Sequence, residues 1–302
     1  MARIGTREGP FTLSGETHVT SLVGKTVVVT GGGGGLGFQT AIALAGRGAR
    51  LVIVGRDRAR GEIALNYFRQ ASRDAVAEAH YADLSRLDEV RRIAATLAEK
   101  LDRIDVLVNN AGAIFNRREV TEDGLERTFA LNHMGYFLLT RLLRDKLARS
   151  APARIVNVAS EAHRGARLDF TDLQNSKSFG GWKVYRRSKL CNILFTRELA
   201  RRLAGSGVTA NCLHPGFCAT SIGNNTTGWF RQGVKLTKNL FAIPAEQGAR
   251  TAIYAASAPE LSDVTGAYFI NSRIAAPSQE AEDDEAAERL WAASAHLANL
   301  NE

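Results

Sequence analysis

Tyr185-Arg186-Arg187-Ser188-Lys189 sets a phenol and an ammonium at i and i+4, neighbours on one helical face about 5–6 Å apart. Tyrosine is a poor acid–base group at its ordinary pKa near 10, but a fixed ammonium beside it stabilises the phenolate and lowers that value. Such a pair can give or take a proton near neutral pH. On its own the spacing is a common accident; its place after an apolar run that ends in Ser160 gives it weight. The Ser160 hydroxyl can hydrogen-bond a substrate oxygen, though a serine ending a strand is also an ordinary cap. Asn132 interrupts the stripe Leu125, Phe129, Tyr136, Leu139, Leu143 and Leu147, which repeats at helical spacing. An amide inside such a stripe must be satisfied, either as a structural bridge or as part of a polar site.

A second constellation lies near the start of the chain. Thr30-Gly31-Gly32-Gly33-Gly34-Gly35-Leu36-Gly37 follows the apolar run TVVVT directly and opens a helical stretch. Glycine there permits positive φ and close approach of backbone to a pyrophosphate, and the helix start offers unpaired N–H groups. Five glycines in succession make a floppy turn that costs stability unless a ligand holds it, so the pattern indicates a nucleotide phosphate site. Roughly twenty residues on, NAD sites place a carboxylate for the ribose 2′-hydroxyl, whereas NADP sites supply a cation. Here the run ends Val54-Gly55-Arg56-Asp57, with glycine in the acid's place and a guanidinium next. That favours NADP(H) over NAD(H), because arginine can grip a 2′-phosphate bidentately. The alternatives are that Arg56 points into solvent or that Asp57 takes the ribose.

The elements that must position these groups are legible as alternating runs. Short apolar, β-branched stretches occur at 26–31, 51–55, 77–83, 105–110, 154–160, 208–214 and 267–270, without the polar alternation of half-exposed strands. Between them lie helical stretches at 36–48, 58–72, 86–101, 123–149, 182–205 and 245–257. Ser85-x-x-Asp88 reads as a capping box for the third, and Pro244 suits the first turn of the last. The alternation implies an α/β fold, a single-domain Rossmann-type doubly wound parallel sheet of about seven strands with helices on both faces. The expected division is an N-terminal extension, 1–22, and one domain, 23–302, with 216–243 as a substrate lid beyond a strand's carboxyl end. Residues 271–285 read as a loop whose acids start a short final helix.

Composition limits the function classes. The 302 residues are 45% apolar and 23% charged, a globular balance. Three cysteines, Cys191, Cys212 and Cys218, form no CxxC pair and suggest neither a disulfide framework nor a zinc site. There is no run of 18 apolar residues and no apolar core in the first twenty, so a cytoplasmic protein without a transmembrane segment is expected. The net charge of +8 is concentrated between Gln174 and Ala245, where eleven Lys or Arg face one acid, Glu198. Solvated helix faces account for most of these, and no nucleic-acid-binding pattern accompanies them. Stretches 123–149 and 182–205 are apolar enough to pair in a homodimer, and equally to cover the sheet.

Taken together these residues resemble the short-chain dehydrogenase/reductase family. The match runs in order through Thr-Gly-x-x-x-Gly-x-Gly at 30–37, Asp83-Leu84, Asn109-Asn110-Ala111-Gly112, Asn132, Ser160, Tyr185-x-x-x-Lys189 and Pro215-Gly216-x-x-x-Thr220. The resemblance implies that Gly31, Gly35, Leu36 and Gly37 hold the pyrophosphate and that Asp83 and Leu84 flank the adenine. Asn110, Ala111 and Gly112 would line the cofactor. Tyr185 would be the proton donor and acceptor, Ser160 would polarise the carbonyl, and Lys189 would bind the nicotinamide ribose and lower the tyrosine pKa. Asn132 would hold a water linking Lys189 to solvent, and Pro215, Gly216 and Thr220 would clasp the carboxamide side of the nicotinamide.

Within the family, Asn132 to Thr140, Ser188 to Leu199 and Glu161-Ala162-His163 resemble the retinol dehydrogenase-like branch, which implies a lipophilic aldehyde or ketone reduced with NADPH. Phe217, Trp229, Phe230 and Phe241 in the lid agree with an apolar substrate or merely pack the lid down. Two alternatives are a nucleotide-sensing regulator on the same fold and a protochlorophyllide reductase-like enzyme. The first conflicts with four retained catalytic positions, and the second with a cysteine, Cys218, set one place late after Pro215-Gly216.

Overall fold

A computed structural model describes residues 20–71, 76–216 and 245–301. Residues 217–243 of the expected lid, with Phe217, Cys218, Thr220, Trp229, Phe230 and Phe241, lie outside the described residues, as do residues 1–19 of the extension.

Each of the seven apolar runs forms a strand: β1 (Thr26–Thr30), β2 (Arg50–Gly55), β3 (Ala77–Tyr81), β4 (Val106–Asn109), β5 (Ala153–Val158), β6 (Val208–His214) and β7 (Tyr268–Ile270). They lie in the order β3-β2-β1-β4-β5-β6-β7, every neighbour parallel. A two-residue β8 (Arg273–Ile274) then pairs antiparallel with β7, in a stretch that reads as loop. Asn271 and Ser272 both take positive φ, 50° and 59°, and make a tight hairpin without the glycine that would have announced it.

Apolar residues on neighbouring strand positions go to opposite layers. Val28 packs with α3 (Leu87–Lys100), α5 (Gly135–Arg149), α6 (Gly181–Arg202) and α8 (Asp284–Leu297). Val27 and Val29 pack with α1 (Gly35–Ala45), α2 (Arg58–Ala71) and α7 (Ala245–Ser257). Both faces of the sheet are thus covered, which is why its central strands carry no polar alternation.

Two local expectations are corrected. The Ser85–Asp88 capping box does not form: Arg86 stands at the cap of α3, Ser85 donates its hydroxyl to Asp83 at 2.7 Å, and Asp88 pairs with Arg86 at 2.9 Å. The Leu87 N–H goes instead to Asp123, 3.0 Å away and distant in sequence. The stretch expected as helix from 123 starts later, as α4 (Arg127–Phe129), because buried Glu126 caps it by accepting from the N–H groups of Thr128 and Phe129. α4 continues through a π-helical turn, Ala130–Met134, into α5.

A polar seam crosses the otherwise apolar layer under α5 and α6. Asn109 donates to Thr140 and Asn157, and Asn157 donates to Thr196, each at 2.9 Å. Thr196 donates to the carbonyl of Asn192 at 2.6 Å. Asn109 and Asn157 are register partners on β4 and β5.

Among the described residues of the basic stretch, several cations are tied to protein groups. Buried Glu198 pairs with Arg201 and Arg202, Arg197 with Asp284, and Arg187 with Asn175. Asp283 caps α8 through the Ala286 N–H, the helix-starting use expected of the acids there. Among the described residues no helix is long and apolar enough to cross a membrane.

Candidate active site

The strand order reverses between β1 and β4, and in an open α/β sheet that reversal leaves a crevice at the carboxyl ends. The glycine turn fills one side of it. Gly31 has φ 70° and donates its N–H to the Val54 carbonyl at 2.7 Å, a conformation that disfavours a side chain. The Thr30 hydroxyl accepts from the N–H groups of Asn110 at 2.8 Å and Ala111 at 3.0 Å. The Asn110 amide donates to the Thr30 carbonyl at 2.8 Å, so the ends of β1 and β4 are bolted together.

α1 begins at this turn with no side-chain cap, and the space a Cβ on Gly34 would occupy is open. Uncapped N–H groups facing open space suit an anionic pyrophosphate, so the turn fits a dinucleotide. A Cβ on Gly37 would overlap both the Gly31 carbonyl oxygen and the Asn110 amide. Gly37→Val therefore distorts the turn, and the expected result is a dinucleotide Kd raised at least about tenfold in a calorimetric titration, about 1.4 kcal/mol. An unchanged Kd counts against the turn as the phosphate site.

At the end of β2, the space a Cβ would fill at Gly55 is open and Arg56 is exposed. Asp57 accepts from the Arg60 N–H at 3.1 Å and pairs with its guanidinium at 3.3 Å, so this carboxylate is engaged at the start of α2. Asp83 accepts the N–H and hydroxyl of Ser85 at 3.0 and 2.7 Å. Leu84 is buried, with its carbonyl against Gly135 of α5.

α6 carries Tyr185 and Lys189 one turn apart on its buried face. Lys189 donates to the Val158 carbonyl at the end of β5, 2.8 Å away, and its Nζ lies 5.7 Å from the centre of the Tyr185 ring. Burial pushes the ammonium down to about 7. Gly112, after β4, lies beside both Asn132 and the Lys189 ammonium. Asn132 sits in the π-helical turn, a distortion found often at functional sites. Its amide accepts from the Ala113 N–H at 2.9 Å and donates to the Ala113 carbonyl and the Ser188 hydroxyl, each at 3.0 Å. The side chain thus braces the loop after β4 against α6.

Ser160 follows β5, and its Oγ accepts the Ala162 N–H at 3.1 Å. His214 closes β6, with Pro215 and Gly216 after it, and Gly216 has φ 83°. Burial lowers His214 to about 4 and raises Cys191 and Cys212 to about 12, so the two thiols are core groups, as expected for Cys191. Among the described residues no group of His, Cys, Asp and Glu could hold a metal ion.

Two residues gain importance only in three dimensions. Trp182 is 48% exposed and stacks on Tyr185, ring centres 5.6 Å apart at 24°. Its position three residues before the tyrosine was the available signal. His163 is wholly buried against Ser160, and the sequence marks it only as part of Glu161-Ala162-His163.

Comparison with known proteins agrees with this geometry. The short chain dehydrogenase family pattern matches residues 25–229. Human retinol dehydrogenase 13 is 43% identical over 285 residues, covering 93% of this chain and 86% of that protein. The crystal structure of an uncharacterized protein from Mycobacterium paratuberculosis superposes with a TM-score of 0.76 at 33% identity, over 93% of this chain and 96% of the other. The Pseudomonas aeruginosa RhlG/NADP active-site complex gives a TM-score of 0.66 at 27% identity, covering 82% and 95%. With its glycine turn at the strand reversal and Tyr185 and Lys189 on one buried helix face, the chain belongs to the short chain dehydrogenase family, oxidoreductases that interconvert alcohols and carbonyls with a nicotinamide dinucleotide.

Proposed function

We propose that the chain is an NADP(H)-dependent oxidoreductase interconverting a lipophilic aldehyde or ketone and its alcohol, with residues 23–302 working as one domain. The observation that carries the proposal is the buried Lys189 ammonium, fixed by the Val158 carbonyl beside the Tyr185 ring. An ammonium held there favours the phenolate, so Tyr185 can pass its proton to a carbonyl oxygen or take one from an alcohol. Ser160 uses an oxygen lone pair on Ala162 N–H, which leaves its own hydroxyl proton to polarise the substrate oxygen. When bound, the nicotinamide supplies or accepts the hydride.

Support for NADP comes from the end of β2. Asp57 is engaged with Arg60, Gly55 offers no carboxylate, and the exposed Arg56 is available for a 2′-phosphate. The half-exposed Trp182 indole beside Tyr185 supports an apolar substrate, as do the names of the retinol dehydrogenase relatives.

The test is a parallel titration with NADPH and NADH, followed by turnover on lipophilic aldehydes and ketones at the cofactor absorbance band. NADPH is expected to bind at least about tenfold more tightly, and Arg56→Glu to erase that preference. Equal affinities in the native chain defeat the NADP assignment. Tight binding without turnover on any carbonyl defeats the substrate assignment.

A further inference from the structure

The turn that carries Ser160 is fixed from outside in a way that the turn itself does not require. Its main-chain closure is complete once the His163 N–H donates to the Ser160 carbonyl at 3.1 Å. The same carbonyl also accepts from the His163 ring, Nδ1, at 2.6 Å. A carbonyl only accepts, so Nδ1 carries the hydrogen. The other ring nitrogen, Nε2, accepts the Ser278 N–H at 3.0 Å, so it is bare. Both nitrogens are thereby committed, and the ring has one tautomer in a fully buried position.

Three later segments hold this turn in place. Tyr268 of β7 meets the His163 ring edge-on, centres 5.4 Å apart at 78°, and donates its hydroxyl to Glu161 at 2.8 Å. The other Glu161 oxygen pairs with Arg164 at 2.8 Å. The Glu161 N–H donates to Nδ1 of His214, at the end of β6, at 3.2 Å. Ser278 and Tyr268 both lie beyond residues 25–229, the span of the family pattern. The second bond to the Ser160 carbonyl restrains the Ser160 main chain just beyond the end of β5, and the serine side chain projects from that main chain.

We propose that His163 is a positioning residue for Ser160: its Nδ1–H clamps the serine main-chain carbonyl while the Ser278 N–H holds its Nε2, so that the C-terminal segment sets the direction of the serine hydroxyl. The proposal rests on the role given to Ser160 above. His163 touches neither substrate nor cofactor in it; it acts through the serine.

The two ring nitrogens can be tested separately. An asparagine amide nitrogen stands where Nδ1 does, two bonds from Cβ, and keeps the donor to Ser160. A glutamine reaches the Nε2 position and keeps an acceptor for Ser278 without that donor. His163→Gln is expected to lower kcat at least tenfold with the KM for NADPH within about twofold of native. His163→Asn should stay within about threefold of native in kcat, although both variants lose similar thermal stability, since each replaces a buried ring. In a Ser160→Ala background, His163→Gln should add no further loss, the signature of two residues acting as one unit.

Equal kcat for Asn and Gln, losses that follow Tm, or additive losses in the Ser160→Ala background overturn the proposal. If the native chain turns over no carbonyl, the functional assignment fails, and the clamp is read from the ring itself. Nitrogen-15 spectra of His163 must then show the Nδ1–H tautomer with a slowly exchanging proton. The Nε2–H tautomer or a freely exchanging ring proton overturns the clamp.

Discussion

Tyr185→Phe is expected to lower kcat by about 10²- to 10⁴-fold while leaving the dinucleotide Kd within about threefold of native. The phenyl ring fits the same space: Tyr185 is only 6% exposed, and its ring stacks on Trp182, a contact that phenylalanine keeps. Lys189 keeps its Val158 carbonyl, and the glycine turn lies on separate elements. What disappears is the phenol O–H that exchanges a proton with the substrate in the proposed reaction, beside the Lys189 ammonium. Steady-state kinetics together with a fluorescence titration of the cofactor check both halves. A variant within tenfold of native kcat would mean that another group or water moves the proton.

Lys189→Met should abolish turnover and yet make the cofactor-free chain more stable. The ammonium is buried, and among the described residues the Val158 carbonyl is its hydrogen-bond acceptor, so desolvation brings it down from 10.5 to about 7. At pH 7 that depression opposes folding by something on the order of a few kcal/mol, since one pKa unit is about 1.4 kcal/mol. Methionine fills similar volume without charge, and the Val158 carbonyl keeps the Asn192 amide at 3.2 Å. The Tm of the cofactor-free variant should therefore rise by about 5–10 °C. The pH dependence has a definite sign. The unfolded chain holds the lysine proton up to 10.5 and the folded chain only to about 7, so the penalty is full below 7 and fades as pH rises between those values. The advantage of the variant over native should shrink from pH 7 to pH 10 in thermal melts. A Tm at or below native at pH 7 would show that the ammonium is better satisfied than its surroundings indicate.

The sheet was legible because both of its faces are covered, so each central strand is an uninterrupted apolar word such as TVVVT or LVIVG. The glycine turn and the Tyr185–Lys189 spacing were legible for a different reason: backbone approach and helical periodicity are local properties. What escaped was long-range. The Leu87 N–H finds its cap on Asp123, and Glu126 starts its helix after a turn around Gly124, at φ 77°. The short β7–β8 hairpin uses Asn and Ser where the usual signal is glycine. His163 showed no chemistry in sequence because its partners, Ser160 and Ser278, are joined only when β5 and the C-terminal segment meet.

The polar seam of Asn109, Thr140, Asn157 and Thr196 bears on how faithfully the chain assembles. Sliding β5 by one residue past β4 would turn Asn157 to the opposite face of the sheet. Its amide and those of its neighbours would then be stranded in an apolar layer, at about 1–3 kcal/mol for each unsatisfied group. A purely aliphatic seam would tolerate that slip far better, because greasy contacts are interchangeable. Thr196 and Asn192 belong to the helix that carries Lys189, so the bonds that reject a shifted strand also set the helix over the end of β5. A mispaired chain therefore fails as a fold before it can persist as a folded but inactive enzyme.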